Sequence, residues 1–333
     1  MPTGGFSTPL VFESSSRDAY LPEWWSARAT TLGSLLYEAG ALLFRGFHVG
    51  GVSGFQELCA SLEVERMRYV YRSTPRTEVA DRIYTSTEYP AHAEIPLHNE
   101  NAFQRDWPMK LLFYCQQPAA EGGHTSLAST VKVTARLEPA LIDRFAVKGV
   151  MYVRNYGRGV DLPWQTVFQT QHPEEVEAFC REQAIEVEWL PDGRLRTRQV
   201  CQAIATHPVV NVPVWFNQAH LFHVSSVGEV SRKALLSMFK EADLPRHAYY
   251  GDGSPIDDRD LETIRDAFRA EKVLCTWRAG DVLVVDNMLV SHGRTAYRGE
   301  RSLLAAMAEP YSGSAVSSRG GTSGDSADCR GRR

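Results

Sequence analysis

The tripeptide His98-Asn99-Glu100 sets an imidazole and a carboxylate two positions apart. On an extended strand, residues i and i+2 share a face. His98 and Glu100 are therefore expected to project together, with Asn99 facing away. An imidazole and a carboxylate on one face make two thirds of a facial metal triad. Such a pairing also arises by chance, so it needs a third ligand. His292 is the candidate. It follows GDVLVVDNMLVS, a run with the texture of a buried strand that ends at a polar stop. Nine residues further on, Arg301 opens a second apolar run, RSLLAAM.

These four residues suit one chemistry. Fe(II) held by two histidines and one carboxylate keeps three positions open for a chelating co-substrate and O2. A 2-oxo acid chelates through its C1 carboxylate and keto oxygen. Its far carboxylate then calls for a planar, two-pronged cation, which is the geometry of arginine and not of lysine. A strand carrying Arg301 beside the strand near His292 would supply it.

The elements that must position these residues are legible in outline. Ala27–Ala39 has apolar residues at helical spacing and stops at Gly40, and Ala41–Phe47 reads as a buried strand. Phe55–Leu62, Leu137–Phe145, Pro173–Gln183 and Leu261–Ala270 read as helices. LLFYCQ, HTSLAS, VKGVMYVRNY, VLCTW and VLVVD read as strands, and Pro191-Asp192-Gly193 as the turn of a hairpin. Many short strands with a few helices and no regular βαβ alternation predict a barrel or sandwich. No glycine-rich phosphate loop lies between a strand and a helix.

Composition narrows the class further. With 43% hydrophobic and 23% charged residues, the chain reads as an ordinary globular protein. No apolar run is long enough to span a bilayer. The opening MPTGGFSTPLVFESS shows no basic stretch followed by an apolar one, so no secretory signal is read and a cytoplasmic setting is expected. A net charge of −4 argues against a nucleic-acid or anionic-membrane partner. Six scattered cysteines without a CxxC pair read as reduced, buried thiols. From Ser312 to Arg333 the chain is Ser, Gly and charge, and is expected to be a disordered tail carrying Cys329.

In order along the chain, LLFRGF at 42–47, PLHNENAF at 96–103, PAAEGGHTSLAS at 118–129, VRNYG at 153–157, PWQTVFQT at 163–170, VWFNQ at 214–218, GDVLVVDNMLVSHGR at 280–294 and GERSLLAAM at 299–307 resemble the TauD/TfdA group of iron(II)- and 2-oxoglutarate-dependent dioxygenases. The likeness is to the branch with the syringomycin-pathway amino-acid hydroxylase and the clavaminate-synthase-like proteins. It implies a mainly β fold with flanking helices: a double-stranded β-helix, or jelly roll. Residues 1–311 would be one domain, with an insertion or lid at about 130–270. By this resemblance His98, Glu100 and His292 are the iron ligands, and Arg301 and Thr125 bind the far carboxylate of 2-oxoglutarate. Asn99, Arg154, Asn217 and Arg294 are implied substrate contacts. His124 departs from the branch, which usually has an acid before the threonine.

The implied cofactor is Fe(II), with 2-oxoglutarate and O2 as co-substrates. The implied reaction is hydroxylation of an unactivated C–H bond of an amino acid or amino-acid derivative, free or tethered to a peptidyl carrier protein, in natural-product biosynthesis. Desaturation, cyclisation and taurine- or sulfonate-type catabolism use the same machinery. A non-catalytic jelly-roll binding protein is the reading from another class. Homo-oligomerisation is left open.

Overall fold

A computed structural model describes residues 9–16, 18–62, 64–67, 71, 76–86, 89–157, 161–191 and 193–313. Its frame is two sheets packed face to face. The larger has seven strands in the order Leu10–Glu13, Ala41–Arg45, Val282–Asp286, Asp106–Gln117, Ser302–Ser312, Ile83–Thr85 and Glu78–Ala80. The smaller has four, in the order Val273–Cys275, Thr125–Ser129, Val290–Arg294 and Ile95–His98. Leu111, Phe113, Leu283, Val285, Leu303 and Ala305 of the large sheet pack with Leu127 and Val290 of the small one. This is a jelly roll.

The continuous apolar runs follow from burial of both faces. Leu112, Tyr114, Val282, Val284 and Leu304 point away from the small sheet. They meet Leu32, Leu36, Phe55 and Leu58 of the helices Ala29–Ala39 and Gly51–Ser61. An antiparallel strand with water on one face alternates polar and apolar residues. Here helices cover that second face, so the alternation is replaced by LLFYC and VLVV.

The chain leaves the small sheet at Ser129 and returns to it at Val273. Between them lie, among the described residues, seven α-helices from Thr130–Arg136 to Asp258–Glu271 and a separate four-stranded antiparallel sheet. That sheet runs Glu186–Trp189, Leu195–Cys201, Val150–Asn155, Arg246–Tyr250. Its first two strands are the expected hairpin. This segment has its own core around Phe145, Tyr152, Trp215 and Phe268. It docks on the end of the Ile95–His98 strand and the residue that follows it. His220 donates from Nε2 to the Leu97 carbonyl at 3.2 Å, and Gln218 from Nε2 to the Asn99 carbonyl at 2.7 Å.

One expectation about elements is corrected here. The ordered chain does not stop before Ser312: the last strand includes it, and the Gly313 amide donates to the Arg105 carbonyl at 2.8 Å. Residues 314–333, with Cys329, lie outside the described residues. The other five cysteines are buried and free. No helix among the described residues is long and apolar enough to cross a membrane.

Candidate functional site

His98 and His292 come together through strand register. They are direct partners in the antiparallel pair of Ile95–His98 with Val290–Arg294, and their ring centroids are 4.4 Å apart. Close pairing of these strands depends on Gly293. A Cβ there would lie 2.5 Å from the Ile95 carbonyl oxygen.

Glu100 reaches the same point by a different route from the one its spacing suggested. The strand ends at His98, and Glu100 stands in a turn. Asn101 in that turn adopts φ +58°, a conformation open to asparagine more than to most residues. The turn is clamped by the buried Asn287. The Glu100 amide donates to Asn287 Oδ1 at 2.8 Å, and Asn287 Nδ2 donates to the Glu100 carbonyl at 2.9 Å and to the Pro108 carbonyl at 2.8 Å. So held, Glu100 Oε2 stands 3.9 Å from His98 Nε2 and 3.8 Å from His292 Nε2. Among the described residues, these three form a group of potential metal ligands whose ligand atoms all lie within 4.8 Å of one another.

The donor set suits a divalent metal. His98 Nδ1 donates to the Pro96 carbonyl at 2.9 Å, which fixes the tautomer with a lone pair on Nε2. Burial pushes the His98 pKa down against the opposing pull of Glu100. Burial first, then His98 and Arg76, push that of His292 well down. Both rings are therefore neutral near pH 7, the form that ligates. Two neutral imidazoles with one carboxylate is the donor set of non-haem Fe(II) oxygenases.

The two histidines border a pocket between the sheets, lined also by Thr125, Arg76, Arg294 and Arg301 with the apolar Ile95, Phe113 and Leu303. Arg301 is two-sided: its Nε donates to the Gly123 carbonyl at 3.1 Å and Nη1 to Ser86 Oγ at 3.3 Å. Burial, and then Arg294, push its pKa down to about 10, so it stays cationic at neutral pH. Gly123 holds φ +65°, and a Cβ there would sit 3.1 Å from Arg301 Nε. The arginine thus packs directly on the glycine of the GGxT run. Thr125 Oγ1 accepts from Trp277 Nε1 at 3.0 Å, which leaves its own hydrogen to donate elsewhere.

The implied substrate contacts are placed otherwise. Arg294 lines the cavity, but Nη1 and Nη2 donate to the carbonyls of Tyr89, Pro90 and Ala93 at 2.7–3.1 Å. It therefore holds the loop that forms one rim. Arg154 is buried away from the wall, over the rings of Tyr71 and Tyr156 and 3.8 Å from Asp161. Asn217 spends its amide on the Ala203 carbonyl and the Ala219 amide, at 2.9 and 3.0 Å. Asn99 is buried and donates to the Asn287 carbonyl. The last three lie off the cavity wall. His124 is half-buried; its amide donates to Thr295 Oγ1 and its carbonyl accepts from the Thr295 amide, both at 3.0 Å, so it shapes the loop before Thr125.

Sequence reasoning passed over three residues of the site. Asn287 carries a weak signal, a polar residue next to Asp286 inside an apolar run. Arg76 and Trp277 carry none. Asp286 itself is a buried anchor: Oδ1 accepts from the Met288 and Leu289 amides, and Oδ2 from His207 Nε2 at 2.9 Å.

A jelly roll with two histidines and a carboxylate converging between its sheets defines the class of non-haem iron oxygenases. The model of the family described as "Taurine catabolism dioxygenase TauD, TfdA family" matches residues 7–307, and the chain belongs to this family. It is an Fe(II)- and 2-oxoglutarate-dependent oxygenase. It is 42% identical over 308 residues to dapdiamide synthesis protein DdaC of Enterobacter agglomerans, covering 92% of this chain and 93% of that protein. It is 32% identical to a clavaminate synthase-like protein of Arabidopsis thaliana, covering 83% of each. Among solved structures, PvcB, an Fe, α-ketoglutarate dependent oxygenase from an isonitrile synthetic pathway, superposes with a TM-score of 0.51 at 15% identity, covering 90% of this chain and 84% of that one. An asparagine oxygenase in complex with Fe(II), 3-hydroxyasparagine and succinate matches with a TM-score of 0.51 at 13% identity, covering 86% and 78%.

Proposed function

We propose that His98, Glu100 and His292 hold the iron and that Arg301 and Thr125 hold the far carboxylate of 2-oxoglutarate. The substrate is an amino acid or amino-acid derivative, free or carrier-bound, hydroxylated at an unactivated C–H bond. The observation that carries the reading is the convergence of the three ligand atoms within 4.8 Å on a cavity that also exposes Arg301 and Thr125. The substrate class rests on the kinship with a dapdiamide synthesis protein.

The bound iron and 2-oxo acid supply O2 activation and hydrogen abstraction. The chain's own residues orient and protect. Pro96 turns the His98 ring, and the Asn287 amide holds Glu100 from behind. Trp277 turns the Thr125 hydroxyl so that its hydrogen can meet the same carboxylate as Arg301. Ile95, Phe113 and Leu303 keep water from the reacting bond. Residues 130–270, docked through Gln218 and His220 on the triad's turn, serve as the lid. The test is a mass-spectrometric screen of amino acids, free and carrier-bound, for gain of one oxygen atom with matched succinate. Succinate without an oxidised amino acid would remove the substrate class.

A further inference from the structure

His207 takes no part in holding iron or co-substrate, yet it ties the insertion to the turn behind them. It stands in the turn of a hairpin, Ile204–Thr206 with Pro213–Trp215, within residues 130–270. Its ring is fully buried and packs edge-on against Tyr37, with centroids 5.6 Å apart. Both ring nitrogens are engaged. Nδ1 accepts from the Val209 and Val210 amides at 3.1 and 3.2 Å. A ring nitrogen that accepts carries no hydrogen, so the hydrogen sits on Nε2. Nε2 therefore donates to Asp286 Oδ2 at 2.9 Å, and the two side chains are 0% and 1% exposed.

One nitrogen thus serves the hairpin, and the other serves the jelly roll. Asp286 Oδ1 accepts from the Met288 and Leu289 amides, both at 2.9 Å, so the turn Asp286–Leu289 is built around this carboxylate. The two halves of the triad meet in that turn. The Asn287 side chain holds the Glu100 backbone, and the strand that carries His292 begins at Val290. A buried carboxylate that loses a donor has strong reason to seek another, and the turn built on it moves with it. The insertion makes two further polar contacts of this kind. Gln218 donates to the Asn99 carbonyl and His220 to the Leu97 carbonyl, one on each side of His98. The insertion therefore grips both stretches that bear the triad. Such bonds are directional, so they fix position more closely than apolar packing does.

We infer that His207 is a positioning residue of the metal site: through Asp286 and the turn that carries Asn287, it sets where Glu100 stands. The insertion then builds part of the centre that it covers. The inference rests on the proposed assignment of Glu100 as a ligand and deepens it.

The two ring nitrogens can be tested apart. A glutamine amide nitrogen falls where Nε2 stands, and an asparagine amide oxygen falls where Nδ1 stands. His207→Gln therefore keeps the donor to Asp286. His207→Asn keeps the acceptor for the hairpin amides and gives up Asp286. The full metal-free chain is titrated with Co(II), whose visible absorption reports its binding, and the melting temperature is followed in the same samples. Groups directly behind a ligand count for about 10- to 100-fold in metal affinity; His207 stands one link further back, so His207→Asn is expected to bind Co(II) about tenfold more weakly. His207→Gln should stay within about twofold of the wild type, and His207→Asn should add less than about twofold to the loss in Asn287→Ala, where the link is already cut. A histidine that only shapes its hairpin gives the opposite order, with His207→Gln the weaker binder. That order, wild-type affinity in His207→Asn, or a full further loss in the Asn287→Ala background would each overturn the inference. Should His207→Asn not fold, Asp286→Asn asks the same question from the other partner. It keeps an oxygen for the Met288 and Leu289 amides but can turn an N–H toward His207, and about tenfold weaker Co(II) binding is expected. Unchanged affinity there would overturn the inference too. Failure of the underlying reading is separate: the wild-type chain would then bind no Co(II), or His292→Ala would bind it equally well.

Discussion

Glu100 is held from two sides, by Arg76 at its carboxylate and by Asn287 at its backbone, and its Oε2 faces both histidines. Removing it costs more than the proposed metal ligand. In the metal-free protein, Glu100→Ala takes away the carboxylate from a buried arginine, and breaking such a pair costs about 3–5 kcal/mol. Urea unfolding of the apo variant should show that loss, and 2-oxoglutarate-dependent turnover should disappear. Arg301 should behave differently. Arg301→Ala is expected to weaken 2-oxoglutarate binding by about 30- to 4000-fold, because one partner of a charge-assisted pair is lost. Fe(II) affinity without co-substrate should hardly move. Arg301→Lys should recover little. Calorimetry with 2-oxoglutarate reads both, and unchanged affinity in Arg301→Ala would place the co-substrate elsewhere. Thr125→Ala should cost less, about 0.5–1.5 kcal/mol for one neutral donor.

At the scale of elements, the turn Asp286–Leu289 ties the two halves of the triad. Asn287 grips Glu100, and the strand that begins three residues later carries His292. Asn287→Ala should lower Fe(II) affinity by about 10- to 100-fold, as loss of groups behind a ligand does. It should also destabilise the fold, since several buried polar groups lose their partners. Leu141→Ala, in the separate core of the insertion, supplies the control. Matched to a similar fall in melting temperature, it should leave metal affinity intact. Equal losses of affinity in both would reduce Asn287 to a packing role. The elements that can be read from sequence are those whose pattern is local. VLVVD reads as a strand because both its faces are buried, and the Ala29–Ala39 helix ends at Gly40, φ +75°, where the sequence puts its stop. Glu100 shows the limit. The i, i+2 rule places it beside His98, but the strand ends first and a turn held by Asn287, far along the chain, completes the approach. Arg154 and Asn217 show it too: their motifs are legible, but whether a polar side chain faces cavity or core depends on tertiary packing. Arg76 joins the site only through the fold, and nothing near it in sequence marks it.

Across the whole molecule, buried neutral histidines set the acid limit. His220 and His223 are pushed down to about 3 and His247 to about 4, in each case chiefly by burial. Their folded-state values lie below the unfolded value of about 6.5. The unfolded chain therefore binds protons first as pH falls. Stability is full above about pH 6.5 and is lost below it, by up to about 1.4 kcal/mol per pH unit for each histidine until its folded value is reached. Urea unfolding between pH 7 and 4 should show a steepening loss, and a variant with His223→Gln and His247→Gln should show a shallower one. The central claim is that the fold builds one site for iron and 2-oxoglutarate from His98, Glu100, His292, Arg301 and Thr125. Anaerobic titration of Fe(II) into the chain with 2-oxoglutarate present, followed by visible absorption, tests it most directly. The account predicts a charge-transfer band that saturates at one Fe(II) per chain in the wild type and is absent in His292→Ala, whose circular dichroism remains that of the folded protein. A band of full intensity in His292→Ala would contradict it.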